Sequence, residues 1–137
     1  MFGTLDISSS ALMAQRTRMD TIAANIANIN TTRNARGEPV PYRRRFAVFA
    51  PGGAKRGPDA ARPGVHVQQI GMDPSPFQRR YQPGHPDAGP DGYVAYPNID
   101  MAIEFVNALE ASRAYEANVT TMEVTKSMIN ASLRLLA

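Results

Sequence analysis

Few residues of this sequence have the type and the spacing that catalysis or metal binding requires. Neither His66 nor His85 stands in an HxxxH, HxH or acidic ligand pattern, and the run Ser8–Ser10 lacks the surroundings of a nucleophile elbow. The chain contains no cysteine, which removes disulfides, thiolate nucleophiles and cysteine metal sites. We therefore expect no catalytic residue, no metal site and no cofactor, and the sequence predicts a protein that is not an enzyme.

The strongest polar signal is the arginine run Arg43, Arg44 and Arg45, which lies between Tyr42 and Phe46. Arginines beside aromatic rings suit nucleic acid, because guanidinium groups contact phosphates and rings stack on bases. The same groups also form bidentate pairs with carboxylates, and a neighbouring subunit would offer acidic residues for this purpose. These residues are Glu104, Glu110, Glu116 and Glu123. We favour a basic intersubunit patch of Tyr42 and the three arginines over a nucleic-acid site.

The positive charge is confined to the middle of the chain. The 137 residues carry a formal net charge of +3, and residues 31–85 alone carry +7. All 11 prolines and nine of the 10 glycines also fall between residues 37 and 97. Because proline and glycine interrupt helices, this predicts two helical arms, residues 1–32 and 98–137. The arms together form one helical domain, and residues 33–97 form a turn-rich middle.

The N-terminal arm has the heptad spacing of a packed helix over residues 7–29. Its apolar residues recur at the a and d positions of a coiled coil. They are Leu5, Leu12, Met19, Ile22, Ile26 and Ile29. Asn30 is the predicted cap of this helix, because asparagine is a mediocre helix former that favours caps and turns.

The C-terminal arm repeats the same period over residues 99–135. Asn98 or Asp100 is suited to cap its first turn, and the helix dipole favours acids such as Glu104 and Glu110 in the early turns. One row of this helix contains Met101, Ala108, Tyr115, Met122, Ile129 and Leu136, and the other contains Phe105, Ser112, Val119, Lys126 and Leu133.

Two long apolar stripes need partners, because an isolated helix in water is only marginally stable. Pairing the arms with each other leaves Leu109 and Val124 outside their seam, which predicts lateral packing against other subunits. The predicted subunit-packing residues are Leu12, Met19, Ile22, Ile26, Ile29, Phe105, Tyr115, Val119, Met122, Ile129, Leu133 and Leu136.

These patterns predict a mainly α fold class, in which long N- and C-terminal helices pair as a coiled-coil-like arm beside a proline- and glycine-rich β and extended middle segment. Alternating apolar and polar residues predict strands over residues 42–49, 64–71 and 77–81, with little core of their own. No run of about 18 apolar residues occurs, and the N-terminus lacks the pattern of a secretory signal. We expect neither a membrane span nor use of the general secretory route.

Both ends of the chain resemble the signatures of the bacterial flagellar axial proteins, in Arg18–Thr32 and in Glu110–Val119 followed by Thr125–Met128. The polar positions of these motifs are Asn25, Asn28, Asn30, Arg113 and Asn118. Four stretches of the middle are similar to the proximal rod members of this family, namely Pro41–Arg45, Asp73–Phe77, Tyr81–Pro86 and Gly92–Asn98. After Asn30 the chain continues as Thr-Thr-Arg rather than the Thr-Pro-Gly of the rod and hook signature, which favours the proximal rod.

The resemblance implies a structural subunit of the flagellar basal-body rod, which polymerises helically into the drive shaft that transmits motor torque to hook and filament. The implied partners are other proximal and distal rod subunits, copies of the same chain, the adaptor protein at the rod base and the flagellar type III export apparatus. The implied location is the periplasm, reached without a cleaved signal peptide. The alternative is a homo-oligomeric helical adaptor that binds nucleic acid through its basic middle, with an affinity that falls steeply with salt.

Overall fold

A computed structural model of the chain describes residues 2–52 and 64–136, without the side chains of Phe2, Leu135 and Leu136. Its elements, in chain order, are α1 (Phe2–Ala27), β1 (Arg45–Pro51), β2 (Val65–Met72), β3 (Gln78–Tyr81), β4 (Tyr93–Tyr96) and α2 (Met101–Leu136). Two long helices therefore flank a middle of short antiparallel strands, which confirms the mainly α prediction.

Helix α1 begins and ends earlier than the predicted range of residues 7–29, since it runs from Phe2 to Ala27. Asn28 closes its last turn. The side-chain Nδ2 of Asn28 donates to the Ala24 carbonyl at 2.8 Å, and the backbone N–H of Asn28 reaches the same oxygen at 3.1 Å. The prediction that Asn30 is the cap is wrong, because Asn28 already satisfies this carbonyl and Asn30 is exposed.

Helix α2 begins where an aspartate can hold its first turn. Asp100 Oδ1 accepts the backbone N–H of Ala102 at 2.8 Å and that of Ile103 at 3.3 Å, so Asp100 is the cap among the two predicted residues. Asn98 instead accepts a hydrogen bond from Gln78 at 3.4 Å. No glycine or proline interrupts the 36 residues of the helix.

The two helices lie side by side and run in opposite directions. Arg18 reaches Glu110 at 3.2 Å, and Asn25 reaches Glu104 at 3.1 Å, so residue numbers fall along one helix as they rise along the other. The buried apolar residues of the pair are Ala14, Ile22 and Ala111. Two of these three are alanines, whose small side chains let the helix axes approach closely.

Strands β1 and β2 form an antiparallel pair that packs on α1. Their register runs from Arg45 opposite Met72 to Pro51 opposite Val65. The strand predicted over residues 42–49 therefore begins three residues later than expected. The reason is that the side chains of residues 42–44 bind the two helices and a following loop, in contacts described below.

Strands β3 and β4 form a second antiparallel pair, which in the described residues contacts neither helix. The sequence did not predict β4 as a strand. Val94 is only 1% exposed, and Tyr96 and Ile99 are also buried. Val94 and Tyr96 belong to the predicted middle, whereas Ile99 lies in the predicted C-terminal arm, so few apolar residues of the described part of the middle are buried, as expected of a segment with little core.

Candidate assembly interface

An asparagine of the N-terminal motif connects α1 to the first strand. Asn25 is completely buried. Its side-chain Nδ2 donates to the Arg45 carbonyl at 2.8 Å, and its Oδ1 accepts the Arg45 backbone N–H at 2.9 Å. The Tyr42 hydroxyl donates to the same Oδ1 at 3.3 Å. The amide therefore satisfies backbone groups as a neighbouring strand would, and it fixes the start of β1 against the helix.

A carboxylate completes this contact from α2. Glu104 is also 0% exposed. Its Oε2 accepts the Nδ2 hydrogen of Asn25 at 3.1 Å, and its Oε1 accepts from Nε and Nη2 of Arg44, each at 2.7 Å. A buried charge is tolerated only when it is paired and hydrogen-bonded. We call Asn25, Tyr42, Arg44 and Glu104 the polar junction, because it joins α1, β1 and α2 at one point.

The polar junction corrects the prediction for Glu104. The sequence suggested that this acid stabilises the start of the helix and pairs with an arginine of a neighbouring subunit, whereas its arginine comes from the same chain. Sequence spacing contains a signal for this position. Glu104 stands four residues before Ala108 and seven before Ala111, so it shares the helix face of residues that pack inward.

The face of α2 that meets α1 is only partly the predicted one. The buried or half-buried residues form one row of Ala108, Tyr115, Met122 and Ile129 and a second row of Glu104, Ala111, Asn118 and Thr125. The first row was predicted. In the other predicted row Ser112 and Val119 are half-buried, but Phe105 and Leu133 are 56% and 59% exposed, and residues of the second observed row take their place toward α1. The replacement follows from the polar junction, because pairing with Arg44 allows Glu104 to face inward and turns Phe105 outward.

The other predicted packing and motif residues vary in exposure. Ile22 is buried, and the half-buried residues are Leu12, Met19, Ile26, Ile29, Tyr115, Val119, Met122 and Ile129. The side chain of Leu136 lies outside the described part of the chain. Asn118 donates to the Ala114 carbonyl at 2.7 Å within its own helix, whereas Arg113 is exposed.

The predicted basic patch is divided between two tasks. Arg44 belongs to the polar junction and also lies 3.8 Å from Asp73. Arg43 stacks its guanidinium over the Phe77 ring at 4.5 Å and donates to the Asp73 carbonyl at 3.2 Å. Arg45 lies over the Tyr42 ring at 5.3 Å. Within the described residues only Arg44 of the three pairs with a carboxylate, so Arg43 and Arg45 keep their charge available at the surface.

A second ionic contact, which the sequence did not predict, fastens the loop before β4 to the segment after α1. Asp87 accepts hydrogen bonds from Thr32 Oγ1 at 2.7 Å and from Arg33 Nε at 2.7 Å. The hydrogen bond from Arg33, followed by that from Thr32, holds the pKa of the Asp87 carboxyl below its usual value. The neighbouring His85 accepts the backbone N–H of Asp87 through Nδ1 at 3.1 Å. This histidine therefore serves the loop structure.

Much of the apolar surface of the helices remains uncovered. Between α1 and α2 an open groove of about 390 Å³ is lined by Leu5, Leu12, Val119 and Met122, with Glu123 and Lys126 beside them. We call this the arm groove. The apolar residues of α2 that are more than half exposed are Ile103, Phe105, Val106, Leu109, Val124, Met128 and Leu133. Apolar surface of this extent typically marks a site of protein association.

The described residues offer no obvious alternative chemistry. Among residues 2–52 and 64–136, no three histidine, aspartate or glutamate side chains are grouped so that they could hold a metal ion. A search of the same residues finds no helix with the length and hydropathy needed to cross a membrane.

Comparisons with known proteins cover both helical ends of the chain. The family described as "Flagella basal body rod protein" matches residues 5–34, and the family described as "Flagellar basal body rod FlgEFG protein C-terminal" matches residues 91–135. The chain is 41% identical to the flagellar basal-body rod protein FlgC of Bacillus subtilis, with 98% of this chain and 97% of that protein covered. FlgC of Borreliella burgdorferi is 39% identical over 99% and 97% of the two chains, and FlgC of Salmonella typhimurium is 37% identical over 98% and 97%.

Proposed function

The chain belongs to the FlgC family of flagellar basal-body rod proteins, and from that premise we propose that it joins the rod through the surfaces of α1 and α2. It is a structural subunit of the rod and not an enzyme. It assembles with other flagellar rod components. The observation that carries the proposal is the arm groove, whose apolar walls are uncovered in the single chain.

A helix from a neighbouring subunit fits the arm groove chemically. The groove walls come from both helices and are apolar, while Glu123 and Lys126 offer charges of both signs at the edge. A helix with the same heptad spacing would bury these walls in a coiled-coil-like arrangement, and each Å² of apolar surface removed from water contributes about 25 cal/mol. In this proposal residues 1–32 and 98–137 act as one helical domain, and residues 33–97 lie outside it.

Helical polymerisation follows if subunits contact each other head to tail without closing a ring. Such a polymer would serve as the drive shaft that carries motor torque to hook and filament. The subunit would reach the periplasm through the flagellar type III export apparatus, and the lowest subunits would contact the adaptor protein at the rod base. Uncovered apolar helices support this route, because a chain that gains its final stability on docking can be exported before it folds completely.

The proposal is tested by an aspartate placed in the arm groove. Met122→Asp puts a charge where the neighbouring helix would pack, and an unpaired buried charge is costly. Cells whose only copy carries Met122→Asp are expected to lose swimming in soft agar, and the chain should be missing from purified basal bodies. Thr120→Asp is the matched control, because residue 120 is exposed and polar on the same helix.

Circular dichroism of the purified variant shows whether the chain still folds. Normal swimming by cells with Met122→Asp, with the variant present in their basal bodies, would contradict the proposal. Nothing in the comparisons or the structure favours the nucleic-acid alternative, since the relatives are rod proteins and Arg44 is committed to Glu104.

A further inference from the structure

A second concave surface lies between the end of α1 and the start of β1. It has a volume of about 540 Å³, and its lining includes Arg33, Val40, Tyr42, Arg43, Arg45 and Met72. We call it the basic groove. Val40 and Met72 are 49% and 59% exposed, so the groove combines apolar contact surface with three guanidinium groups.

Two of these guanidinium groups have no carboxylate partner among the described residues. No acidic residue is among those that line the basic groove. Of the acids close in the chain, Asp87 pairs with Arg33 and Asp73 lies 3.8 Å from Arg44. Arg43 and Arg45 contact only aromatic rings and backbone carbonyls. The lining of the basic groove is therefore positively charged, and a ligand that supplies carboxylates and apolar side chains would complement it.

One stripe of α2 has this composition. Phe105, Leu109, Glu116 and Glu123 stand at intervals of four, seven and seven residues, which places them on one side of a helix. All four are exposed, and neither Glu116 nor Glu123 forms an ion pair with any described residue. We call these four residues the acidic stripe.

We propose that the basic groove of one chain receives the acidic stripe of a second copy, with Glu116 beside Arg43 and Arg45 and with Phe105 and Leu109 against Val40 and Met72. The inference rests on the proposed function, since it describes how two rod subunits meet. It adds a contact between the middle of one subunit and the C-terminal helix of the next, and this contact shares only Glu123 with the arm groove.

Glu116 of the acidic stripe cannot reach the basic groove of its own chain. The groove adjoins the end of α1, where Asn28 lines it, and this end of α1 lies beside Glu104 because Asn25 binds that residue. Glu116 follows Glu104 by 12 residues, which in a helix corresponds to about 18 Å along the axis. A contact of Glu116 with the basic groove must therefore join two chains.

Disulfide cross-linking tests the contact in assembled rods. The native chain has no cysteine, so the pair Arg43→Cys and Glu116→Cys introduces the only two thiols, at two positions that the proposal places side by side. A disulfide needs Cα atoms within about 7 Å, which excludes a link inside one chain. Purified, oxidised basal bodies are expected to contain cross-linked dimers of this chain that disappear on reduction. The control pair Arg43→Cys and Asp20→Cys, with Asp20 exposed on α1, should give none.

Charge reversal provides an independent measurement. Arg45→Glu and Glu116→Arg should each reduce the swimming halo, and the double variant should recover it, because the reversed charges attract again. If the chain is present in basal bodies but no dimer forms and both reversals swim normally, the contact is wrong while the proposed function stands. A cross-link to a different rod protein would also overturn the assignment to a second copy. Absence of the unmodified chain from basal bodies would overturn the proposed function itself.

Discussion

The two ends of the helix pair differ in how much of their packing a single chain completes. Near β1, the polar junction is closed, because Glu104 and Asn25 are both fully buried and hydrogen-bonded within the chain. At the opposite end the arm groove stays open, and its walls are apolar. The difference indicates that directional polar contacts fix the shape of the subunit. The uncovered apolar residues, whose contacts are not directional, remain available for assembly.

The largest expected effect on the stability of the subunit comes from disrupting the polar junction. Arg44→Ala leaves the Glu104 carboxylate buried without its cation, and loss of one partner of a buried ion pair costs about 3–5 kcal/mol. The free energy of unfolding of the purified chain, measured with urea, should fall by this amount. Arg43→Ala is the control, because Arg43 is exposed and has no carboxylate partner in the described residues. Equal losses in the two variants would mean that the closed end does not fix the subunit.

Low pH should weaken the contact that Asp87 makes with Thr32 and Arg33. The pKa of Asp87 is lowered in the folded chain, chiefly by its hydrogen bond from Arg33, so its carboxylate stabilises the fold above the unfolded pKa of about 3.9. This contribution is lost as the pH falls through the lower, folded pKa. Wild type should therefore be more stable than Asp87→Asn at neutral pH and lose that advantage in strong acid. A difference that stays constant with pH would exclude this role.

The smallest effect on the stability of the subunit is expected at the end of the helix pair that contains the arm groove. Met128 is 60% exposed, so Met128→Ser should change the free energy of unfolding by no more than about 0.5 kcal/mol. The same substitution should reduce the amount of the chain retained in basal bodies, because it removes apolar surface available to neighbours. If Met128→Ser lowers the stability of the isolated chain as strongly as Arg44→Ala does, the proposed contrast between the two ends is wrong.

The sequence predicted the helices well because their signal is local. Heptad rows without proline or glycine predict helix whatever the partner, and Asp100 is a local cap. The polar junction was missed because it depends on residues distant in sequence. Glu104 meets Arg44 across 60 positions and Asn25 across 79. Strand β4 was also missed, although β3, its partner of equal length, was predicted; β4 lies directly between Gly92 and Pro97, and the stretch was assigned to the turn-rich segment.

The sequence identified only part of the inward face of α2, for the same reason. Counting apolar residues selects Phe105 over Glu104, and only a partner elsewhere in the chain reverses that choice. The sequence identified the arginines of the predicted basic patch but not the different contacts that each of them makes. These contacts depend on which side of the β1 segment faces Glu104. That orientation is set by the tertiary hydrogen bonds of Asn25.

Recognition by Asn25 has a consequence for how the chain tolerates change. The amide of Asn25 binds the backbone N–H and carbonyl of residue 45 and makes no hydrogen bond to its side chain. Any residue that keeps an extended backbone there can preserve this contact, although proline cannot because it lacks the N–H. Position 45 is therefore a site where the side chain on the surface of the subunit can be exchanged while the buried hydrogen bonds of Asn25 are kept.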